Sequence, residues 1–140
     1  MRRIIAIAYR PTRAQAIRLI AQVSLLLLVI GSLQPGRPGP LHAIHREIHY
    51  AAFGGTTLLL LLLCRTRLEE VRVVVAACFL GLSLEYLQHL IYHNPAEWWD
   101  VRDDAFAILA AFVAYYLGRA CANAVKSSRL LALRPVPKTD

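Results

Sequence analysis

The sequence is poor in cysteine, and its three cysteines form no CxxC motif. Cys64, Cys78 and Cys121 all lie within or at the ends of apolar runs. An odd count without metal-ligand spacing argues against a disulfide framework. We therefore interpret the three side chains as small apolar packing residues.

A basic stripe interleaved with aromatic residues is also missing, although the formal net charge is +7. Such a stripe is the footprint of nucleic-acid binding, so we predict no nucleic-acid partner. The regular alternation of polar and apolar residues that is typical of a soluble domain is missing as well. Instead, 57% of the 140 residues are hydrophobic, and they gather in long runs between short charged joints. This distribution predicts an integral membrane protein.

Four apolar runs predict four transmembrane helices, each close to the roughly 17–25 residues that a spanning helix needs. The predicted spans are approximately 14–33, 48–64, 73–92 and 104–124. The first ends at the segment 34–40, whose prolines and glycines cannot continue a helix. We predict an all-α polytopic membrane protein with a four-helix transmembrane bundle at 14–125, a basic segment at 1–13 and a basic tail at 126–140.

Lysine and arginine are distributed unevenly about these runs. Thirteen of the 16 lie near the two ends of the chain or in the joint between the second and third runs. Only Arg37, Arg46 and Arg102 fall on the other side. Because cytoplasmic loops carry the excess of positive charge, both ends are predicted to lie in the cytoplasm, in an inner or plasma membrane. The tail is then predicted to lie on anionic membrane lipids of the inner leaflet.

The first run follows a basic segment, so a cleaved signal peptide is the alternative to a retained helix. The run is long for the apolar region of a signal peptide, and no A-x-A site follows it. We therefore expect a retained first helix.

Small residues recur four apart within the runs, as in the pairs Ala51/Gly55 and Ala77/Gly81. This spacing lets helix backbones approach closely in lipid. The fourth run carries four small residues on this pattern: Ala107, Ala110, Ala111 and Ala114.

Histidines and carboxylates gather on the predicted outer side. Glu85 lies inside the third run, about 10 Å of axial rise from its outer end, and a carboxylate at that depth needs a partner in the bundle interior. Gln88 and His89 share its helix face, because three and four residues separate them from Glu85. His45 and His49 share a face at the start of the second run. The outer ends of spans two, three and four are therefore predicted to form one polar pocket.

These residues resemble the VanZ-like family, small helical membrane proteins named for a protein associated with teicoplanin resistance. The family pattern begins at a helix start with an acidic and a basic residue, followed after two residues by His and an aromatic. Residues 45–50 occupy that place, with Arg46, His49 and Tyr50 as matches. Glu85 and Gln88 match the Glu and Gln that lie three apart on the next helix.

The resemblance continues to two acids three residues apart, matched by Asp100 and Asp103, which lead into a helix of small residues. Glu97 stands where the family has Arg, and Ala107 stands where it has Asn. Over His45 to Gly118 the resemblance implies a helical membrane fold with a polar cluster of His49, Glu85, Gln88 and Asp103.

Binding of a cell-envelope ligand at the outer face is the first functional hypothesis, motivated by the predicted pocket and the resemblance. The ligand would be a lipid-linked precursor or an amphipathic, glycopeptide-type antibiotic. Arg46 would meet an anionic head group. The predicted ligand-binding residues are Arg46, His49, Glu85, Gln88, Asp100 and Asp103.

An intramembrane enzyme is the alternative. Glu85 and His89 could act as an acid/base pair, and His45 and His49 would be the ligands in a metal-assisted version. No nucleophile stands out, and no cofactor is predicted. A proton path through Glu85 is a third hypothesis, although the inner halves of the runs carry few polar residues.

A purely structural membrane protein, in which the polar cluster only locks the helices together, is the remaining interpretation. In that case Asp104 caps the fourth helix at its positive dipole end. For Asp100 and Asp103, capping and ligand binding are both open. Trp98 and Trp99 are interpreted as an interfacial belt.

Overall fold

The computed structural model describes residues 12–33, 45–93 and 97–132, and the regular elements among them are all helical. A π-helical turn, Tyr50–Gly54, joins α2 to α3. The α-helices are α1 Arg13–Ser32, α2 His45–His49, α3 Gly55–Leu61, α4 Arg67–Tyr92 and α5 Trp98–Ala132. In this part of the chain, α1, α4 and α5 are long and apolar enough to cross a membrane, at 20, 26 and 35 residues. For the described residues, an all-helical fold with three helices able to span a membrane is therefore confirmed.

Two of the long helices begin with a capping box, which satisfies backbone N–H groups that have no partner within the helix. At α1, Gln15 N donates to Thr12 Oγ1 over 3.3 Å and Thr12 N donates to Gln15 Oε1 over 2.8 Å. At α4, Thr66 and Glu69 make the same pair of bonds, each 3.2 Å long. The second box starts α4 at Arg67, well before the apolar run on which the third span was predicted.

The second apolar run forms one helical segment from α2, the π turn and α3, which have five, five and seven residues. The segment packs against α1, α4 and α5. A π turn takes up more residues than an α turn, and here it brings Gly54 rather than Gly55 to α5. A Cβ on Gly54 would lie 3.3 Å from the Ala107 carbonyl oxygen, whereas one on Gly55 would meet no atom within 4 Å. Gly55 therefore makes no close helix contact within the described residues, and Gly54 makes one instead.

The buried core receives side chains from every long helix and from the π turn. Its members are Leu28, Phe53, Leu84, Ala107 and Ile108. Many large apolar side chains lie outside this core and are exposed along the helices. Soluble monomers rarely expose such continuous apolar surface, so these side chains are suited to contact with lipid.

Gly81 marks the close approach of α4 to the π turn and α5. A Cβ at this position would lie 3.0 Å from Asp104 Oδ2 and 3.4 Å from the Phe53 ring. We expect Gly81→Val to destabilise the protein by about 1–2 kcal/mol, because the added methyl groups must displace one of these neighbours. Reversible unfolding in mixed detergent and SDS micelles measures the change.

Gly118→Val is the matched control, since a Cβ on Gly118 would meet no atom within 4 Å. Both substitutions replace a helical glycine with valine, so their helix-propensity effects cancel in the comparison. Equal unfolding midpoints for the two variants would contradict the close approach at Gly81.

Candidate functional site

His49 lies between two carboxylates of α5. Its Nδ1 is 2.8 Å from Asp104 Oδ1, and its Nε2 is 3.8 Å from Asp100 Oδ2. The imidazole stacks on the Phe53 ring with 6.1 Å between centroids. The capping interpretation of Asp104 is wrong, because α5 begins at Trp98 and places Asp104 beyond its first turn, buried and facing His49.

Asp103 is buried and holds two guanidinium groups. Its Oδ2 accepts from Arg46 Nε over 2.7 Å, and its Oδ1 accepts from Arg102 Nη2 over 2.7 Å and from Nε over 3.1 Å. The arginine side chains themselves stay 62% and 41% exposed. A guanidinium carries five N–H donors, more than Asp103 engages on either arginine. We call Arg46 and Arg102, together with the Asp103 that holds them, the outer arginine pair, after the side of the membrane that the sequence predicts.

An aromatic surface adjoins the outer arginine pair. The Arg102 guanidinium carbon lies 4.6 Å from the centroid of the Trp99 ring. Trp98 and Trp99 are both exposed. A cation stacked on an exposed indole suits the head-group region of a bilayer, where tryptophan is enriched.

Gln88 and Tyr92 join the end of α4 to the end of α1. The Gln88 amide donates to the Ser32 carbonyl oxygen, and the Tyr92 hydroxyl donates to the Leu33 carbonyl oxygen over 2.7 Å. Carbonyl groups in the last turn of a helix have no partner within it. Gln88 therefore positions α1 through its amide, whereas His49 faces α5. Ligand binding by Gln88 stays a prediction.

Glu85 ties the end of α4 to the start of α5, since its Oε1 accepts a hydrogen bond from the Glu97 backbone amide. His89 lies exposed one turn further along α4. An acid/base role for these two residues stays a prediction. The side chain of His45, the second predicted metal candidate beside His49, lies outside the described residues. Within residues 12–33, 45–93 and 97–132, no group of three His, Cys, Asp or Glu residues is arranged to hold a metal ion.

A second polar cluster, which sequence analysis missed, lies at the opposite end of α4 and α5. Glu70 is 2% exposed. Its carboxylate lies 3.1 Å from Arg67 Nη1 and 2.8 Å from Arg119 Nη1. The Tyr115 hydroxyl donates to it over 3.2 Å, and the Tyr116 hydroxyl donates as well. We call these five residues the inner cluster, again after the side of the membrane that the sequence predicts.

The sequence signal for the inner cluster is the capping box Thr66-x-x-Glu69. Hydropathy alone begins the third span at 73 and leaves Glu70 in a joint. Once the box sets the helix start, Glu70 lies within the first turn of α4, where a carboxylate also suits the helix dipole.

Glu70 of the inner cluster and Glu85, near the other end of α4, are separated by about 22 Å of helix rise. Thr56 and Thr57 are buried on α3. Among the described residues, each buried side-chain nitrogen or oxygen atom has a hydrogen-bond partner. Both clusters are therefore ordered by the chain itself.

Comparison with known proteins gives no matching family model, no matching curated protein and no matching solved structure. We therefore infer function from the residues of the two clusters and from the charge distribution of the chain.

Proposed function

We propose that the chain is a divergent VanZ-like integral membrane protein that binds the anionic head group of a lipid-linked cell-envelope precursor at the outer face of the inner or plasma membrane. In this proposal residues 45–61 are the second of four spans, and both ends of the chain lie in the cytoplasm. The resemblance over His45 to Gly118 supports the family. The positive-inside distribution of lysine and arginine supports the orientation.

Contacts between helix ends support the four-span arrangement. The end of α1 meets the end of α4 through Ser32 and Gln88. The start of the second segment meets the start of α5 through His49 and Asp104. Glu85, near the end of α4, binds the residue before α5. Two segments running outward and two running inward would bring these ends to one side of the membrane.

The outer arginine pair is the observation that carries the proposal. One buried carboxylate fixes two guanidinium groups, so these three side chains together carry a net charge of +1, while the neighbouring Asp100 and Asp104 face His49. Guanidinium groups match phosphate oxygens in pairs, and their hydrogen bonds to phosphate are charge-assisted. Because Arg46 and Arg102 are held before a ligand arrives, binding costs less conformational entropy. A diphosphate at the level of the lipid head groups could accept hydrogen bonds from both guanidinium groups.

The proposed binding is tested with farnesyl diphosphate, a short polyprenyl diphosphate, titrated into the full chain in neutral detergent. We expect Arg46→Gln and Arg102→Gln each to raise the Kd about tenfold or more, because a hydrogen bond to a charged group contributes about 1.5–3 kcal/mol. Arg129→Gln removes an exposed arginine from the far end of α5 and should leave the Kd unchanged.

Farnesol, which has the same chain and no phosphate, should bind more weakly, and its binding should not depend on Arg46 or Arg102. Equal binding of farnesol, or a Kd that neither outer substitution changes, would contradict the proposal. Teicoplanin is titrated in parallel. If teicoplanin binds in an Arg46-dependent way and farnesyl diphosphate does not, the ligand is an antibiotic and the precursor assignment is wrong.

A structural role is the second candidate, favoured by the complete hydrogen bonding of buried polar side chains in the described residues. Under that role the outer arginine pair only joins the second segment to α5. A chain that unfolds normally but binds neither farnesyl diphosphate nor teicoplanin would favour the structural role.

A further inference from the structure

An apolar groove runs along the outside of α4 and α5. Its volume is about 340 Å³, within the range of small-molecule sites. It is partly open to the surroundings, and no charged side chain lines it. The lining includes Val71, Val75 and Cys78 of α4 and Ala105, Leu109 and Phe112 of α5. A groove of this composition suits a hydrocarbon chain.

The groove continues into the inner cluster. On α4, Arg67 is four residues from Val71 and eight from Val75, so the arginine shares their face. On α5, the Phe112 ring meets the Tyr116 ring edge-on with 4.7 Å between centroids. The Arg67 guanidinium carbon lies over that Tyr116 ring at 4.7 Å from its centroid. The apolar groove therefore ends at a guanidinium.

Positive charge dominates this end of the groove. Glu70 supplies one buried carboxylate, whereas Arg67 and Arg119 supply two cations whose side chains are 71% and 51% exposed. The other charged residues nearby are Arg65, Glu69 and Arg72, which add a further net positive charge. The end of the groove thus attracts an anion at the level where α4 enters the membrane.

We infer that this groove binds an anionic phospholipid, with one acyl chain along α4 and α5 and the phosphate on Arg67 and Arg119. Basic pockets between transmembrane helices recognise anionic head groups in this way. Glu70, Tyr115 and Tyr116 position the two arginines. The site lies at the opposite end of the helices from the outer arginine pair. Only its assignment to the cytoplasmic leaflet depends on the proposed topology.

The experiment measures lipid retained by the full chain after extraction from vesicles of equal parts phosphatidylglycerol and phosphatidylcholine with identical acyl chains. Native mass spectrometry counts the two lipids on the protein. Both lipids carry a phosphate, but the choline ammonium of phosphatidylcholine cancels its charge and is repelled by the two arginines. We therefore expect wild-type protein to retain phosphatidylglycerol about tenfold over phosphatidylcholine. Arg67→Gln/Arg119→Gln should reduce the preference to near unity, while its amides still offer donors to Glu70.

Arg13→Gln/Arg129→Gln is the matched control, because it removes two exposed arginines that do not line the groove. It should keep the preference. Equal loss in both double variants would show a general charge effect and would overturn the site. Full preference in Arg67→Gln/Arg119→Gln would overturn it as well.

Ala105→Leu tests the groove without touching the inner cluster, so it decides the matter even if the arginine variant does not fold. It should lower phosphatidylglycerol retention at least threefold, whereas Ala114→Leu, on an exposed part of α5 outside the groove lining, should not. Inorganic phosphate distinguishes a soluble anion from a lipid. If it displaces phosphatidylglycerol, and Ala105→Leu changes nothing, the cluster binds free phosphate and the lipid site is wrong.

Discussion

His49→Ala is expected to destabilise the protein by about 3 kcal/mol, which is the usual cost when a buried ion pair loses one partner. The substitution leaves the buried Asp104 carboxylate without the imidazole nitrogen that lies 2.8 Å from it. It also opens the space beside Phe53, on which the imidazole stacks. Reversible unfolding of the full chain in mixed detergent and SDS micelles measures the cost.

A double-mutant cycle with Asp104→Ala separates the pair from the lost packing. Interhelical hydrogen bonds in membranes contribute about 0.6 kcal/mol on average and at most about 1.7 kcal/mol. Since Asp100 lies 3.8 Å from the other imidazole nitrogen, His49 has carboxylates at both nitrogens. We expect a coupling energy of about 2 kcal/mol, above the range of an ordinary interhelical bond.

Tyr92→Phe is the control for an ordinary bond, because it removes only the hydroxyl that donates to the Leu33 carbonyl. Its cost should be about 0.6 kcal/mol. A coupling energy between His49 and Asp104 no larger than the Tyr92 effect would mean that the pair is a simple hydrogen bond.

The positions of the long helices along the chain could be predicted from the sequence. Hydropathy predicted the three long helices, because a spanning helix must be apolar over its whole length. Helical spacing and the resemblance also drew attention to His49, Asp100, Asp103 and Arg46, and the structure places these four at the start of the second segment and of α5.

The side-chain contacts between helices could not be predicted from the sequence, because they depend on how each helix is rotated about its axis. Asp103 and Asp104 are adjacent, yet one faces the two arginines and the other faces His49. The π turn changes the rotation of the second segment, so Gly54 rather than Gly55 approaches α5. A π turn lacks a sequence signature that periodicity would reveal.

The predicted start of the third span was too late, and this is why Glu70 was missed. Charged residues at a helix start lower the local hydropathy, so hydropathy begins the third span at 73 and omits Glu70, which is buried inside α4. Its partners Tyr115 and Arg119 lie more than 40 residues away along the chain, and only packing of α4 on α5 brings them together.

Arg67→Leu/Arg119→Leu is expected to be much less stable than Glu70→Leu, although both remove the same two ion pairs. The reason is burial. Glu70 is 2% exposed, so removing its cations leaves a buried carboxylate with only tyrosine donors, at a cost of about 3–5 kcal/mol. The arginines are 71% and 51% exposed, so after Glu70→Leu they can reach water or lipid phosphate.

Glu70→Leu alone should cost about 1–3 kcal/mol, the range for buried donors such as the Tyr115 hydroxyl that lose their acceptor. The triple variant, with leucine at 67, 70 and 119, should recover most of the stability lost by the double arginine variant, since apolar replacement of a whole buried ion network is often neutral. Unfolding midpoints of the three variants, with Arg72→Leu/Arg129→Leu as the charge-matched control, test this order. If the double arginine variant equals Glu70→Leu, or the triple variant fails to recover, water reaches Glu70 and burial is not what makes its two arginines necessary.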